Sequence, residues 1–302
     1  MADPTDLIHD VRVISTGSVD IHPEHAYGSN TPMYWWILTS RRWLNRRPIN
    51  VFVVEHRDGL VLFDTGQDRA SVTDPGYFPG GPLRLLYRRL ARFDIPAGQT
   101  LPAGLWRLGY ASEDVVAVVL SHLHQDHIGG LAHLQGPRIV TSTAEHRQLT
   151  NPLAETQGVL RSHIDLPGLR WEPTEFGPLG DPDLAPFTHG SDLMGDGSLI
   201  LLPTPGHTPG SLSMLVRRPG LDPLLMVGDL TYDADALESA GRLPGVGSTR
   251  LLRQSADMVL ELKRRHPGLR ILAAHDPAAA TSLEGAHRTP AGNRSRHHSS
   301  KG

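Results

Sequence analysis

The sequence predicts an α/β protein of the α+β type, with two β-sheets packed face to face and helices outside them. Three observations support this. Short β-branched and aromatic runs recur in both halves of the chain, each half also carries helical stretches, and 302 residues suffice for one large or two modest domains.

In the first half, Val11 to Val19, Tyr34 to Leu38, Ile49 to Glu55 and Leu60 to Asp64 read as strands between turn residues. The last stops at an acid and a glycine turn, Leu62-Phe63-Asp64-Thr65-Gly66. Over about residues 75–105 the pattern gives way to a helical insertion, whose centre sets Leu83, Leu86, Tyr87 and Leu90 at helical spacing with arginines between them. A short basic helix of this kind is ordinarily a solvated face over a core; a lid, a dimer contact and a membrane-surface helix are the other readings. Val115 to Ser121 is a continuous apolar run, as in a strand buried on both faces. After it come the Gly129-Gly130 pair and helical stretches around His127 to Leu134 and Thr143 to Thr150. In the second half, Ser198 to Leu202, Ser211 to Val216 and Leu224 to Val227 are strands, Thr249 to Arg265 a helix, and Arg270 to Ala274 a terminal strand. Residues 1–284 are read as one domain. Residues 285–302 carry Arg288, Arg294, Arg296 and Lys301 with no acid and no apolar periodicity, and are expected to form a disordered basic tail whose His297-His298 pair is inert.

Composition excludes several function classes. Lys+Arg 29 against Asp+Glu 32 leaves a net charge of -3, which gives no electrostatic case for a nucleic-acid partner. With Cys 0 there are no disulfides, thiolate nucleophiles or cysteine metal sites, so any metal is held by His and carboxylates. No stretch approaches about 18 apolar residues, so no membrane partner is expected. The opening Met1-Ala-Asp-Pro-Thr-Asp lacks the basic patch and apolar run of a signal peptide, so a cytoplasmic location is expected. A small-molecule substrate is the remaining expectation, and the sequence leaves a homodimer open.

The chemistry concentrates in Ser121-His-Leu-His-Gln-Asp-His-Ile-Gly-Gly130, where three histidines and an aspartate fall within six residues directly after a buried strand. At this chain's His and Asp content, chance would give His-x-His-x-Asp-His roughly 0.004 times. In an extended segment side chains alternate, so His122 and His124 point the same way and can share one cation. The turn that follows carries Asp126 and His127 past it to a neighbouring position. Gly129 and Gly130 let the backbone pass close by. Four ligands do not complete two metal spheres, and three more candidates end apolar strands or sit between them. His207 lies in the rigid loop Leu202-Pro-Thr-Pro-Gly-His-Thr-Pro-Gly210, Asp229 ends Leu224-Leu-Met-Val-Gly-Asp, and His275 ends Ile271-Leu-Ala-Ala-His.

These residues, in this order, resemble the metallo-β-lactamase superfamily, from Val11 to His275, through Asp64-Thr-Gly, His122-x-His-x-Asp-His127, Pro205-Gly-His207, Gly228-Asp229 and Ala274-His275. The resemblance implies a four-layer αββα sandwich with two divalent metal ions at one edge of the sheets. Residue by residue, it implies that His122, His124 and His207 bind one metal, that Asp126, His127 and His275 bind the other, and that Asp229 bridges them, with Asp64 supporting the ligands from behind. Zinc is favoured because imidazole and carboxylate suit it; manganese, iron and cobalt fit the same ligands.

Within the superfamily, Tyr232, three residues after Asp229, resembles the tyrosine of N-acyl homoserine lactonases, which lies beside the metals and contacts the lactone. The implied reaction is hydrolytic opening of the lactone ring by a hydroxide that two cations about 3.5–4 Å apart share. In that reaction Tyr232 would donate to the developing oxyanion and Asp126 would pass a proton to the leaving ring oxygen. The alternatives are a glyoxalase II-like thioesterase, a phosphotriesterase-like hydrolase, and a mononuclear iron sulfur dioxygenase. Tyr27, Met33, Tyr34, Trp35, Trp36 and the stretch Tyr77 to Leu90 are candidates to line an acyl-chain groove, or else are core aromatics of strands.

Overall fold

Strand β2 (Leu44–His56) shows why this chain needs four layers. Val51, Phe52, Val53 and Val54 are all buried, and the alternation of a strand sends them to opposite faces. Phe52 and Val54 meet Leu201, Met214 and Met226 of a second sheet. Val51 and Val53 face outward, into Leu101, Leu105, Ile128 and Leu131 of covering helices and loops. In the second sheet Ile200, Leu202, Leu215 and Leu225 pack beneath Leu252, Ala256, Val259 and Leu262, the inward stripe of the Thr249–Arg265 helix. The result is an αββα sandwich.

A computed structural model describes residues 7–286. The first sheet holds β1 (Ile8–Ile21), β2, β3 (Gly59–Phe63), β4 (Ala91–Asp94), β5 (Val115–Val119), β6 (Arg138–Val140) and β7 (Arg170–Trp171), in the order β4-β1-β2-β3-β5-β6-β7. The second holds β8 (Gly177–Pro178), β9 (His189–Asp192), β10 (Leu199–Pro203), β11 (Leu212–Val216), β12 (Leu224–Met226) and β13 (Arg270–Leu272), in the order β13-β12-β11-β10-β9-β8. Strands β3 and β5 are parallel, as are β12 and β13, so each pair ends on one edge. That edge carries the site. Among the described residues no helix is long and apolar enough to cross a membrane.

Phe52 is fully buried between the sheets against Phe63, with ring centroids 6.5 Å apart. Phe52→Ala is therefore expected to destabilise the protein by about 3–5 kcal/mol. Urea unfolding measures it; a loss under about 1 kcal/mol would mean that the inter-sheet core is looser than drawn.

Several expectations need correction. Tyr34 to Leu38 is not a strand but lies in a helix, Met33–Thr39, which Pro32 precedes at the N-cap position. Aromatic content suggested β structure, and tertiary packing of Trp36 and Ile37 decided otherwise. The insertion is not wholly helical. Its first helix, Gly81–Leu90, stops before Ala91, and Ala91–Asp94 pair with Ser18–Ile21 as edge strand β4, with Ala91 and Phe93 half-buried and Arg92 and Asp94 exposed, before a second helix, Leu101–Arg107, begins. Helix Ala279–Ala286 runs two residues into the expected tail because Leu283 and Ala286 are buried against the inter-sheet core. The rest of that tail, with His297 and His298, lies outside the described residues. The short strands β7, β8 and β9 and the Ala234–Ala240 helix went unforeseen.

Candidate metal centre

Seven side chains converge at the strand ends. His122, His124, Asp126 and His127 follow β5, the last two on a single helical turn, Gln125–Ile128; His207 sits in the β10–β11 loop; Asp229 and His275 follow β12 and β13. Donor atoms of His122, His124 and His207 lie within 4.8 Å of one another, as do those of Asp126, His127 and His275 and those of His122, His127 and Asp229. Asp229 stands between the first two groups. Its Oδ1 is 3.4 Å from His127 Nε2 and 3.5 Å from His275 Nε2, and its Oδ2 is 3.5 Å from His207 Nε2.

The hydrogen bonds behind the candidate ligands fix which nitrogen faces inward. A carbonyl oxygen only accepts, so His275 Nδ1 carries the proton it donates to Pro48 O at 2.9 Å, and His124 Nε2 donates to Gln157 O at 2.9 Å. The opposite nitrogens, His275 Nε2 and His124 Nδ1, thus turn lone pairs to the centre. His127 Nδ1 donates to Asp64 Oδ2 at 2.8 Å. Asp64 also accepts from Ser121 N at 2.7 Å and Ser121 Oγ at 2.9 Å, and it is held at φ 64, a left-handed conformation that Asp tolerates better than most residues. Gly129 is needed for a different reason, space. A Cβ there would stand 2.1 Å from Asp68 N, on the loop that follows Asp64.

These donors fit a cation. His124 Nδ1 faces both His122 Nε2 at 3.0 Å and His207 Nε2 at 2.9 Å, an arrangement in which three nitrogens share one point. His127 Nε2, His275 Nε2 and Asp229 Oδ1 are buried with no hydrogen-bond partner, a cost of about 1–3 kcal/mol each unless something else satisfies them. Electrostatics agree. Burial pushes His122 and His207 well below the ordinary imidazole range, leaving them neutral. For His127 burial opposes the charge, but Asp64 and Asp229 outweigh it and hold the pKa well above the usual value. Burial would raise Asp229, yet His275 and His127 keep it well below the carboxylate range. The carboxylates that favour a proton here favour a metal equally.

Tyr232 lies against the cluster. Its hydroxyl donates to Asp229 Oδ2 at 2.6 Å, and its ring stacks on His275 with centroids 5.2 Å apart. Burial, then Asp229, raises its pKa well above the usual phenol value, so it stays protonated and able to donate.

Two further residues escaped sequence reasoning. His25 is buried with Nε2 3.0 Å from the Tyr232 hydroxyl, and burial lowers its pKa to about 4. The one available signal was a second histidine three residues after His22, a pattern too common to select. Glu145, fully buried, accepts from Leu123 N at 3.0 Å, Thr208 Oγ1 at 2.7 Å and Gly210 N at 3.1 Å, tying the His122–His124 segment to the His207 loop. Ser142-x-x-Glu145 resembles a helix capping box, and the Ser142 hydroxyl does accept from Glu145 N at 3.0 Å, but the carboxylate reaches across to the loops instead of back to its own helix. Glu145→Ala is expected to weaken metal binding by about 10–100-fold, as losing a partner behind a ligand does. Titration against a competing chelator measures it, and unchanged affinity would make Glu145 a packing residue only.

The cluster floors a cavity of about 350 Å³. His124, Asp126, His207, Asp229, Tyr232 and His275 line one end, with Val19, Ile21 and Phe93 clustered about Tyr232; Met33, Ile37, Leu86 and Leu90 give the other an apolar wall. Of the candidate groove aromatics only Tyr34 and Tyr87 line it. Trp36 is buried behind, 5.8 Å from His25 between ring centroids, and Trp35 is 64% exposed.

The family model of the metallo-beta-lactamase superfamily matches residues 44–275. The chain belongs to the metallo-β-lactamase superfamily. Among its relatives in that superfamily, N-acyl homoserine lactonase AttM of Agrobacterium fabrum (strain C58) is 30% identical over 239 residues, covering 77% of this chain and 83% of that protein. A probable metallo-hydrolase of Mycobacterium tuberculosis is 32% identical over 243 residues, covering 76% and 74%. Among solved structures, an N-acyl homoserine lactone hydrolase with the product N-hexanoyl-L-homoserine at its catalytic metal centre shares the fold, with TM-score 0.72 and 21% identity over 91% of this chain and 96% of that one. The dizinc quorum-quenching lactonase AidC, with a product bound, follows at TM-score 0.60 and 16% identity over 92% and 93%. The metallo-β-lactamase fold is thus established, with the histidine-aspartate cluster at the edge of its sheets.

Proposed function

We propose that this metallo-β-lactamase-fold protein is a metal-dependent N-acyl homoserine lactonase. The observation that carries the reading is Tyr232, a protonated phenol held 2.6 Å from Asp229 Oδ2 where the donor cluster meets an apolar cavity. The names of the relatives, N-acyl homoserine lactonases at about 30% identity, support it. His122, His124 and His207 would hold one divalent cation, Asp126, His127 and His275 a second, with Asp229 between them. When bound, such cations polarise an ester carbonyl and acidify a water toward neutrality, zinc being the metal that this ligand set favours.

The chain's own residues do the rest. Asp229 offers one oxygen to each group, and its Oδ2 accepts the Tyr232 proton until substrate arrives. Tyr232 then turns that proton to the carbonyl oxygen as charge builds on it. Asp126 has the more exposed of the two site carboxylates, Oδ2 3.4 Å from His275 Nε2, and lines the cavity, so it is placed to carry a proton to the leaving ring oxygen. Met33, Ile37, Leu86 and Leu90 exclude water from the apolar end and bind an acyl chain there. Residues 1–284 work as one domain in this reading.

The test pairs elemental analysis of the purified protein with proton release from short- and long-chain N-acyl homoserine lactones. Two metals per chain, with turnover abolished by a chelator and restored by the metal, are expected. Two metals without lactone turnover would redirect the search to thioesters and phosphotriesters, and a single iron would replace the hydrolase with a dioxygenase.

A further inference from the structure

Two stretches of the chain are rich in arginine and free of acid. No Asp or Glu occurs between Glu24 and Glu55 or between Asp74 and Asp94, while these segments carry Arg41, Arg42, Arg46, Arg47 and Arg84, Arg88, Arg89, Arg92. The fold joins them. Helices Met33–Thr39 and Gly81–Leu90 pack together, and the buried His22 ring lies between the carbonyl oxygens of Arg42 and Arg89, at 2.7 and 2.8 Å. Arg42 is paired with Glu24, and Arg92 lies over Trp43 at 4.0 Å. Arg41, Arg84, Arg88 and Arg89 are exposed and have no ion-pair partner among the described residues. In their midst the same helices expose Tyr34 (54%), Trp35 (64%), Leu38 (50%) and Leu85 (58%).

We infer that this face docks on the surface of an anionic phospholipid bilayer. A second copy of the chain is a poor occupant, because a two-fold contact would set arginines against arginines with no acid in either segment to meet them. Aromatic and aliphatic side chains ringed by unpaired arginines match the headgroup level of a bilayer, where rings sit at the boundary and guanidinium groups meet phosphates. The inward sides of the two helices, Met33, Ile37, Leu86 and Leu90, wall the apolar end of the cavity. Docking therefore places that end next to hydrocarbon, the phase from which a molecule with an apolar chain would arrive. The net charge of -3 conceals the surface, since the chain's acids lie outside these two segments.

The inference stands apart from the hydrolase reading, because vesicle binding needs no substrate. The full chain is sedimented with vesicles of phosphatidylcholine containing about 30% phosphatidylglycerol, and with phosphatidylcholine alone, at about 0.1 M salt. Binding is expected to the anionic vesicles only, with release near 1 M salt, where screening is nearly complete. Replacing Arg84, Arg88 and Arg89 together by Gln should weaken binding by about 100-fold, near fivefold for each arginine. Trp35→Ser should weaken it without altering the salt dependence. All four side chains are exposed, and an unchanged melting temperature confirms that the variants fold. No sedimentation with anionic vesicles overturns the proposal. So does a wild-type dimer that Trp35→Ser makes monomeric, which assigns the face to a second copy, and so does binding to polyglutamate without binding to vesicles, which assigns it to an acidic protein.

Discussion

Asp229→Ala is expected to remove bound metal and lactone turnover together. Asp229 reaches three imidazoles of the candidate site, with distances of 3.4 Å to His127 and 3.5 Å to both His207 and His275, and it also accepts a hydrogen bond from the Tyr232 hydroxyl. Without it both proposed cation positions would lose a shared anion, leaving Asp64 and Asp126 as the carboxylates nearest His127 and His275. Loss of activity should exceed the ~100-fold that removing a partner behind a ligand costs, because a ligand itself is gone. Asp229→Asn separates charge from shape. It keeps the volume and one acceptor oxygen, so partial metal retention with depressed turnover is expected. Retention of both metals and full activity in Asp229→Ala would refute the bridging role. The measurement is elemental analysis and turnover on the same preparation.

Tyr232→Phe should act on a different quantity. The ring still stacks on His275, so metal content and melting temperature hold, while kcat for lactones falls by about 100-fold through loss of one donor to the developing oxyanion. KM should change little. His25 is a positioning residue in this scheme, reaching the reaction only through the hydroxyl 3.0 Å from its Nε2. His25→Gln should lower kcat in the wild-type background and have almost no effect when Tyr232 is already Phe, which is the non-additivity expected of residues that act as a unit. Additive losses would return His25 to simple packing beside Trp36. Unchanged kcat in Tyr232→Phe would remove the phenol from the mechanism.

The candidate site was legible because its residues sit where strands stop. His122, Asp229 and His275 each follow an apolar run, Pro and Gly fix the loop of His207, and proximity in space followed from a shared sheet edge. What stayed hidden depends on contacts between segments far apart in the chain. His25 meets Tyr232 across 207 positions, and Glu145 meets Gly210 across 65; neither has a local pattern that distinguishes it from an ordinary polar residue. The same reason explains the misread fold elements. Met33–Thr39 has strand-like composition and is a helix because Trp36 and Ile37 find burial that way, and β4 exists because β1 offers it an open edge. The strands buried on both faces had no such ambiguity, since Ile49 to Glu55 and Val115 to Val119 are apolar enough to need cover on either side.

The candidate ligands are drawn from both sheets. His122, His124, Asp126 and His127 hang from the first, and His207, Asp229 and His275 from the second. A cation held by all of them is a cross-link that exists only while the two sheets are docked, so it binds the native chain and not the unfolded one. Mass action then adds about 2.7 kcal/mol to the stability at a free cation concentration one hundred times the dissociation constant. In a cell this would couple the protein's lifetime to metal supply. Starved of metal, it would become an easier substrate for proteases as well as an idle enzyme, and its abundance would track the ion that its chemistry requires.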